Sequence, residues 1–277
     1  MSYSRKILQI LLIALPLQGI SANSAFVVFQ NGRSIPASAL ALEADKLVVK
    51  IEVQGYAIGQ SFSMAMADHI YGDKPEAINQ GIALLLLGKA KKAEELLLPV
   101  VKEHRITAKI PGNFWLEAAR ALLVAHAIDG DTADVEKIGK EISDATPAKG
   151  VDPFVMLGKA LLIPPLASKY EERKDTLISL TSDNPPDLCA YASFFYGNMQ
   201  NKEKKSAEAL EAYLAVPCLY PSGGLILNAA AELQASDLLA AMKRTDEALA
   251  LAESAFRVST GTALADEASA RVKSLKK

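Results

Sequence analysis

After Pro75, apolar residues recur at three- to four-residue spacing, and glycine, proline or short charged turns interrupt the pattern at regular intervals. The stretch KPEAINQGIALLLLGKAKKAEELLLPVVKEH predicts a helix over 75–87 and another over 90–104. Pro75 sits at a helix start, where its missing N–H costs nothing, and Gly88 occupies the turn. The next stretch predicts helices over 114–128 and 132–144, separated by Asp129-Gly130-Asp131. DPFVMLGKALLIPPLASKYEERKDTLISLTSDNPP predicts a shorter helix, a Pro164-Pro165 break and a second helix ending before Pro185. Two further pairs follow, one with a lysine-rich turn and one turning at KRTDE. TALADEASARVKSLKK reads as a capping helix with a polar outer face.

The chain before Pro75 has a different period. AFVVFQNGRSIPA predicts a strand followed by a turn at Asn31-Gly32. In DKLVVKIEV, Leu47, Val49, Ile51 and Val53 alternate with Val48, Lys50 and Glu52, which predicts a strand with one wet face. Gln54-Gly55 makes the next turn, and YAIGQSFSM predicts another strand. So few short strands form a small antiparallel sheet or SH3-like barrel that leans on the helices after it.

The five helix pairs recur near the period of about 34 residues that marks tetratricopeptide repeats. Gly81 and Ala93 stand where that family places small residues at the crossing of its two helices. Gly197, Ala209 and Pro221 match that pair and the closing proline, and Ser236 and Ala248 match the pair again. Leu123 breaks the pattern in the second pair, and Pro164-Pro165 breaks it in the third. The chain therefore resembles tetratricopeptide-repeat proteins over roughly 74–260. The resemblance implies a mainly α fold: an α-solenoid of five helical hairpins plus a cap, behind the small β segment. Another α-solenoid type or a bundle is the alternative. The resemblance also implies a protein or peptide partner on the concave side, lined by the first helix of each pair. Glu117, Arg120, Tyr191, Phe194, Asn198 and Asp237 fall there, and Trp115 beside Phe114 presents an aromatic edge, with a core position between neighbouring hairpins as the alternative for Trp115, Phe194 and Phe195.

Residues 1–25 stand apart. MSYSRK is basic, ILQILLIALPLQGI is apolar but short for a bilayer span, and SANSA offers small residues. This is the layout of a secretory signal peptide cleaved after Ala22, Ser24 or Ala25, with an uncleaved anchor helix as the alternative. The organisation expected is a signal peptide over 1–25, a β domain over 26–72 and a helical-repeat domain over 73–277. The mature chain holds no further candidate span. Export to the periplasm or cell envelope would put Cys189 and Cys218 in an oxidising compartment. They fall at the start of one helix and the end of its antiparallel partner. A disulfide there closes a loop of about 30 residues, worth roughly 3–4 kcal/mol. Two buried free thiols are the alternative.

Composition narrows the function. Aromatics are only 6% against 50% hydrophobic residues, which suits packed helices rather than a β-sandwich. A net charge of −2 without long basic runs argues against nucleic acid. His69, His104 and His126 are far apart, so no zinc motif is visible. Asp129-Gly130-Asp131 is too short for a calcium loop and reads as a turn with Asp131 at a helix N-cap. GQSFS lacks the second glycine of a nucleophile elbow, and no phosphate loop appears. No cofactor or metal is expected. The sequence reads as a non-enzymatic interaction scaffold of the cell envelope. The alternatives are a subunit of an envelope complex, and a hydrolase with its site between the β segment and the first repeats.

Overall fold

The computed structural model describes residues 25–146, 151–164 and 168–277. The expected leader, with the expected cleavage positions Ala22 and Ser24, and Pro165 lie outside the described residues. No helix among the described residues is long and apolar enough to cross a membrane.

The N-terminal part holds six short strands. β1 (Phe26–Phe29) and β2 (Ser34–Pro36) form the hairpin at Asn31-Gly32, where Asn31 Oδ1 accepts from the Arg33 N–H at 3.0 Å. β3 (Leu40–Glu43), β4 (Lys46–Val49), β5 (Ser61–Ser63) and β6 (Ala67–Tyr71) follow. All pairings are antiparallel, in two three-stranded sheets ordered β2-β1-β6 and β3-β4-β5. The arrangement is internally two-fold: each half is strand, strand, a short 3-10 turn, strand. SIP-ASA-LALE in the first half corresponds to SFS-MAM-ADHIY in the second. The two halves exchange their third strands, so β3 joins β4 and β6 joins β1.

The strand expected over 45–53 stops at Val49. Beyond it the Lys50 N–H donates back to the Ala39 carbonyl, Ile51 turns to solvent, and Val53 pairs only with Tyr56 across Gln54-Gly55. Val27, Phe29, Ile35, Leu47, Val49 and Ile70 form a small core closed from outside by Ile110. The Ile70 N–H donates to the Pro111 carbonyl at 2.9 Å, so the chain leaving the first helix pair pins the sheet.

The rest is helical: α1 (Glu76–Leu86), α2 (Ala90–Glu103), α3 (Trp115–Asp129), α4 (Thr132–Ala145), α5 (Pro153–Leu162), α6 (Tyr170–Ser179), α7 (Pro186–Lys202), α8 (Ser206–Leu219), α9 (Leu225–Ala241), α10 (Thr245–Val258) and α11 (Ala263–Leu275). Four of the turns after odd-numbered helices carry a left-handed residue. Gly88 and Gly130 adopt it freely, whereas Lys204 and Lys243 adopt φ of 61° and 63° against the usual preference of side chains.

The first and fourth hairpins are locked by a large side chain set against a bare backbone. A Cβ on Gly81 would lie 2.6 Å from Leu97, one turn beyond the expected Ala93, and one on Gly197 would lie 2.7 Å from Tyr213. In the fifth pair the Ser236 hydroxyl donates to the Ala248 carbonyl at 2.7 Å. Leu123 is accommodated by reversal of the roles. Its side chain fills the space left by Gly158 on α5, where a Cβ would come within 2.4 Å, and it also touches the site of Gly139 on α4.

α1, α3, α5, α7 and α9 form an inner series in which each packs on the next. α9 also packs back on α1, and α11 wedges against both. The series thus closes on itself. The Gln80 amide donates to the Gly261 carbonyl across the closure, and Lys89 lies 3.9 Å from Glu267. Inner helices touched on several sides have no wet face, which is why α3, α7 and α9 are apolar nearly all round.

Candidate functional site

Closure leaves a cavity of about 470 Å³ where the inner helices converge. α3, α5, α7 and α9 present residues near their N-terminal ends to it: Glu117 and Arg120, Phe154, Asp187 and Tyr191, and Leu225 to Leu227. α1 adds Asn79 and Ile82, and Lys74, Ser222 and Thr260 come from the adjoining loops.

Arg120 organises one wall. Its Nη2 donates to Asp152 Oδ2 and its Nη1 to Asp187 Oδ2, each at 2.9 Å. The guanidinium lies over the Phe154 ring, 4.3 Å from its centroid. The two carboxylates also cap helices: Asp152 Oδ1 accepts from the Phe154 N–H, and Asp187 Oδ1 from the Leu188 N–H, each at 2.9 Å. Each negative charge therefore sits at a helix N-terminus, where the dipole favours it. A single side chain of α3 ties down the starts of α5 and α7. Lys74 and Glu117 pair beside it at 2.6 Å.

Tyr191 is 7% exposed and stands edge-on to Phe154. Its hydroxyl has no hydrogen-bond partner among the described residues. Burial, with the Glu117 and Asp187 carboxylates nearby, pushes its pKa well above the ordinary tyrosine range, so it remains a donor. No side chain caps α9, whose first turn borders the cavity. At the mouth, Leu225 is 67% exposed and Val258 39%.

Of the residues the sequence singled out, Glu117, Arg120 and Tyr191 meet here. Trp115 and Phe194 do not: they are 0% and 1% exposed and belong to the core, so they offer no surface to a partner. Asn198 is half-buried and accepts from the Tyr213 hydroxyl at 2.7 Å, supporting the fourth hairpin. Asp237 pairs with Arg271 of α11. Asp152, Asp187, Phe154 and Lys74 went unnoticed, although aspartate beside proline at a helix start is a recognisable capping signal.

No family model matches this chain, and neither does any curated protein or solved structure.

The expected disulfide is absent: Cys189 and Cys218 are both free. Antiparallel packing brings the helix ends together but does not turn the side chains toward each other, because helical phase sets their direction. Cys189 is buried with Sγ against the Asn184 carbonyl at 3.4 Å, and burial raises its pKa. Cys218 is exposed beside Leu214 and Met242.

Among the described residues, one grouping has metal-ligand proximity: His126 with Asp131 and Asp134, at the α3–α4 turn and away from the cavity.

Proposed function

We propose that this chain is a non-catalytic binding module, a tetratricopeptide-like array that seats a protruding piece of a protein partner in the Arg120–Tyr191 cavity. We take it to act in the cell envelope, where its leader would deliver it. The observation that carries this reading is the cavity walled by all five inner helices, with Arg120 holding the starts of two of them. Its volume falls in the range of roughly 300–1,000 Å³ typical of ligand sites. That suits a chain end or a loop tip rather than a long extended segment. A wall fixed by a partly buried ion-pair network loses little freedom on binding. Arginine, tyrosine and an apolar rim are residue types that carry interface energy.

Selection from a displayed random-peptide library tests the reading. Peptides enriched on the wild-type chain should lose binding to a Leu225→Glu or Tyr191→Ala chain and keep it with Lys140→Glu on an outer helix. Equal binding to all variants would place recognition elsewhere. For export, residues 1–25 fused to a reporter active only outside the cytoplasm should give signal.

The β region favours a second reading, a subunit of a larger envelope assembly. Leu42, Ile51, Ile58 and Met66 are exposed on it, more apolar surface than so small a unit needs to leave uncovered. Obligate co-purification with a partner, lost on Ile51→Lys and Ile58→Lys, would support it.

A further inference from the structure

The α3–α4 turn gathers chemistry that the cavity does not use. Gly130, at φ +83°, reverses the chain so that the Asp131 N–H donates to the His126 carbonyl at 2.9 Å. The start of α4 is thereby folded against the last turn of α3. Asp131 caps α4, its Oδ1 accepting from the Asp134 N–H at 3.1 Å. One ring nitrogen of His126, one oxygen of Asp131 and one of Asp134 all lie within 4.8 Å of one another.

The imidazole is only 11% exposed. Its Nδ1 lies 3.0 Å from Oε1 of Glu94 on α2, yet both atoms are buried without the alignment of a hydrogen bond. Glu94 is thus the carboxylate placed against Nδ1. Here the ring stands among three carboxylates brought in from α2, the α3–α4 turn and the first turn of α4. Of the nearby cations, Lys91 pairs with Asp129 and also reaches Glu94 Oε2 at 3.4 Å, and Arg105 pairs with Glu141 at 3.1 Å.

We propose that His126, Asp131 and Asp134 form a binding site for a divalent transition-metal ion of the zinc type, with Glu94 orienting the imidazole. One nitrogen and two carboxylate oxygens are a donor set that zinc accepts, and water completes the sphere. Ligand atoms about 2.0–2.2 Å from an ion lie roughly 3–3.6 Å apart, so small rotations of the two aspartates complete the site. A carboxylate behind a ligating histidine is the usual second support of such centres. Bound metal would clamp α2, α3 and α4 together, so the site acts on the early hairpins whether or not the cavity binds a partner.

The test uses the full chain, stripped with a chelator and dialysed at pH 7.5. Titration with ZnCl2 should give one ion per chain and a higher Tm, because a ligand that binds only the folded state stabilises it. CaCl2 should give neither. Cobalt(II) in place of zinc should give visible absorption bands. Asp134→Asn, which keeps side-chain shape and the α4 cap, should weaken zinc binding at least tenfold, and His126→Gln should abolish the cobalt bands. The proposal is overturned if the stripped chain binds no zinc, or if Asp131→Asn/Asp134→Asn binds it as tightly as wild type. It is also overturned if calcium binds and zinc does not. Should His126→Gln misfold, the asparagine variants still decide the outcome.

Discussion

The inner helices meet at two kinds of seam. Between α3, α5 and α7 the seam is ionic and largely buried: Arg120 bridges Asp152 and Asp187, and Asp152 is 2% exposed. Where α9 and α11 close on α1, the seam is made of small apolar residues such as Leu264, Ala265 and Ala268, one amide–carbonyl contact and an exposed ion pair. A buried charge whose partner is removed by substitution is expensive, so the first seam tolerates loss of Arg120 poorly. The second rests mainly on apolar packing, with the Arg271–Asp237 pair joining α11 to α9. The two seams should therefore respond differently to single substitutions, and the cavity mouth lies near the second, since Val258 and Thr260 belong to the α10–α11 junction.

Four substitutions test that contrast. Arg120→Met should be the most damaging, because it strands Asp152 in the interior. The expected loss is about 3–5 kcal/mol, read from the denaturation midpoint. Leu264→Ala removes a side chain that is 1% exposed in the closing seam. It should cost roughly 2–5 kcal/mol, toward the low end because the seam can relax. In that variant, hydrogen exchange should speed up first in α11 and α1, with α3 and α5 still protected. Uniform exchange across the molecule, or a loss larger than that of Arg120→Met, would remove the contrast between the two seams.

Glu232 on α9 gives a smaller, pH-dependent effect. Burial raises its pKa above the ordinary value of 4.5. Its protonated form is favoured by the fold, so its contribution is complete below about pH 4.5 and is lost as pH rises through the folded-state pKa. Glu232→Gln should therefore raise Tm at pH 7 and make no difference well below pH 4.5, as paired melting curves would show. Smallest of all, Glu267→Lys breaks only the exposed pair with Lys89. The change should stay within about 1 kcal/mol and shrink further in high salt.

The helices were legible because their ends are punctuated locally. Proline at helix starts, glycine at turns and lysine-rich corners need no knowledge of the rest of the chain. The strands were less so: β6 reaches back to pair Tyr71 with Phe26, and β3 and β6 leave their own halves. No alternation within a strand encodes which partner it takes. For the site, Arg120 and Tyr191 were visible as polar or aromatic residues on first helices. For Trp115 and Phe194 the sequence leaves groove and core both open, because α3 and α7 are apolar around their circumference and no face declares itself inward; packing decides for the core.

Leu123 marks the boundary between the two kinds of information. Read along the chain, it is an exception to a small-residue rule. In three dimensions the rule concerns volume, and Gly158 and Gly139 supply the space from other helices. Period, caps and turns are properties of neighbours in the chain, so the residue order was enough to place the eleven helices of the described residues and a β segment before them. The closure of α9 on α1, the exchange of strands and the meeting of His126 with Asp131 and Asp134 depend on packing. Such contacts are chosen by the fit of whole surfaces, which no short stretch of residues contains.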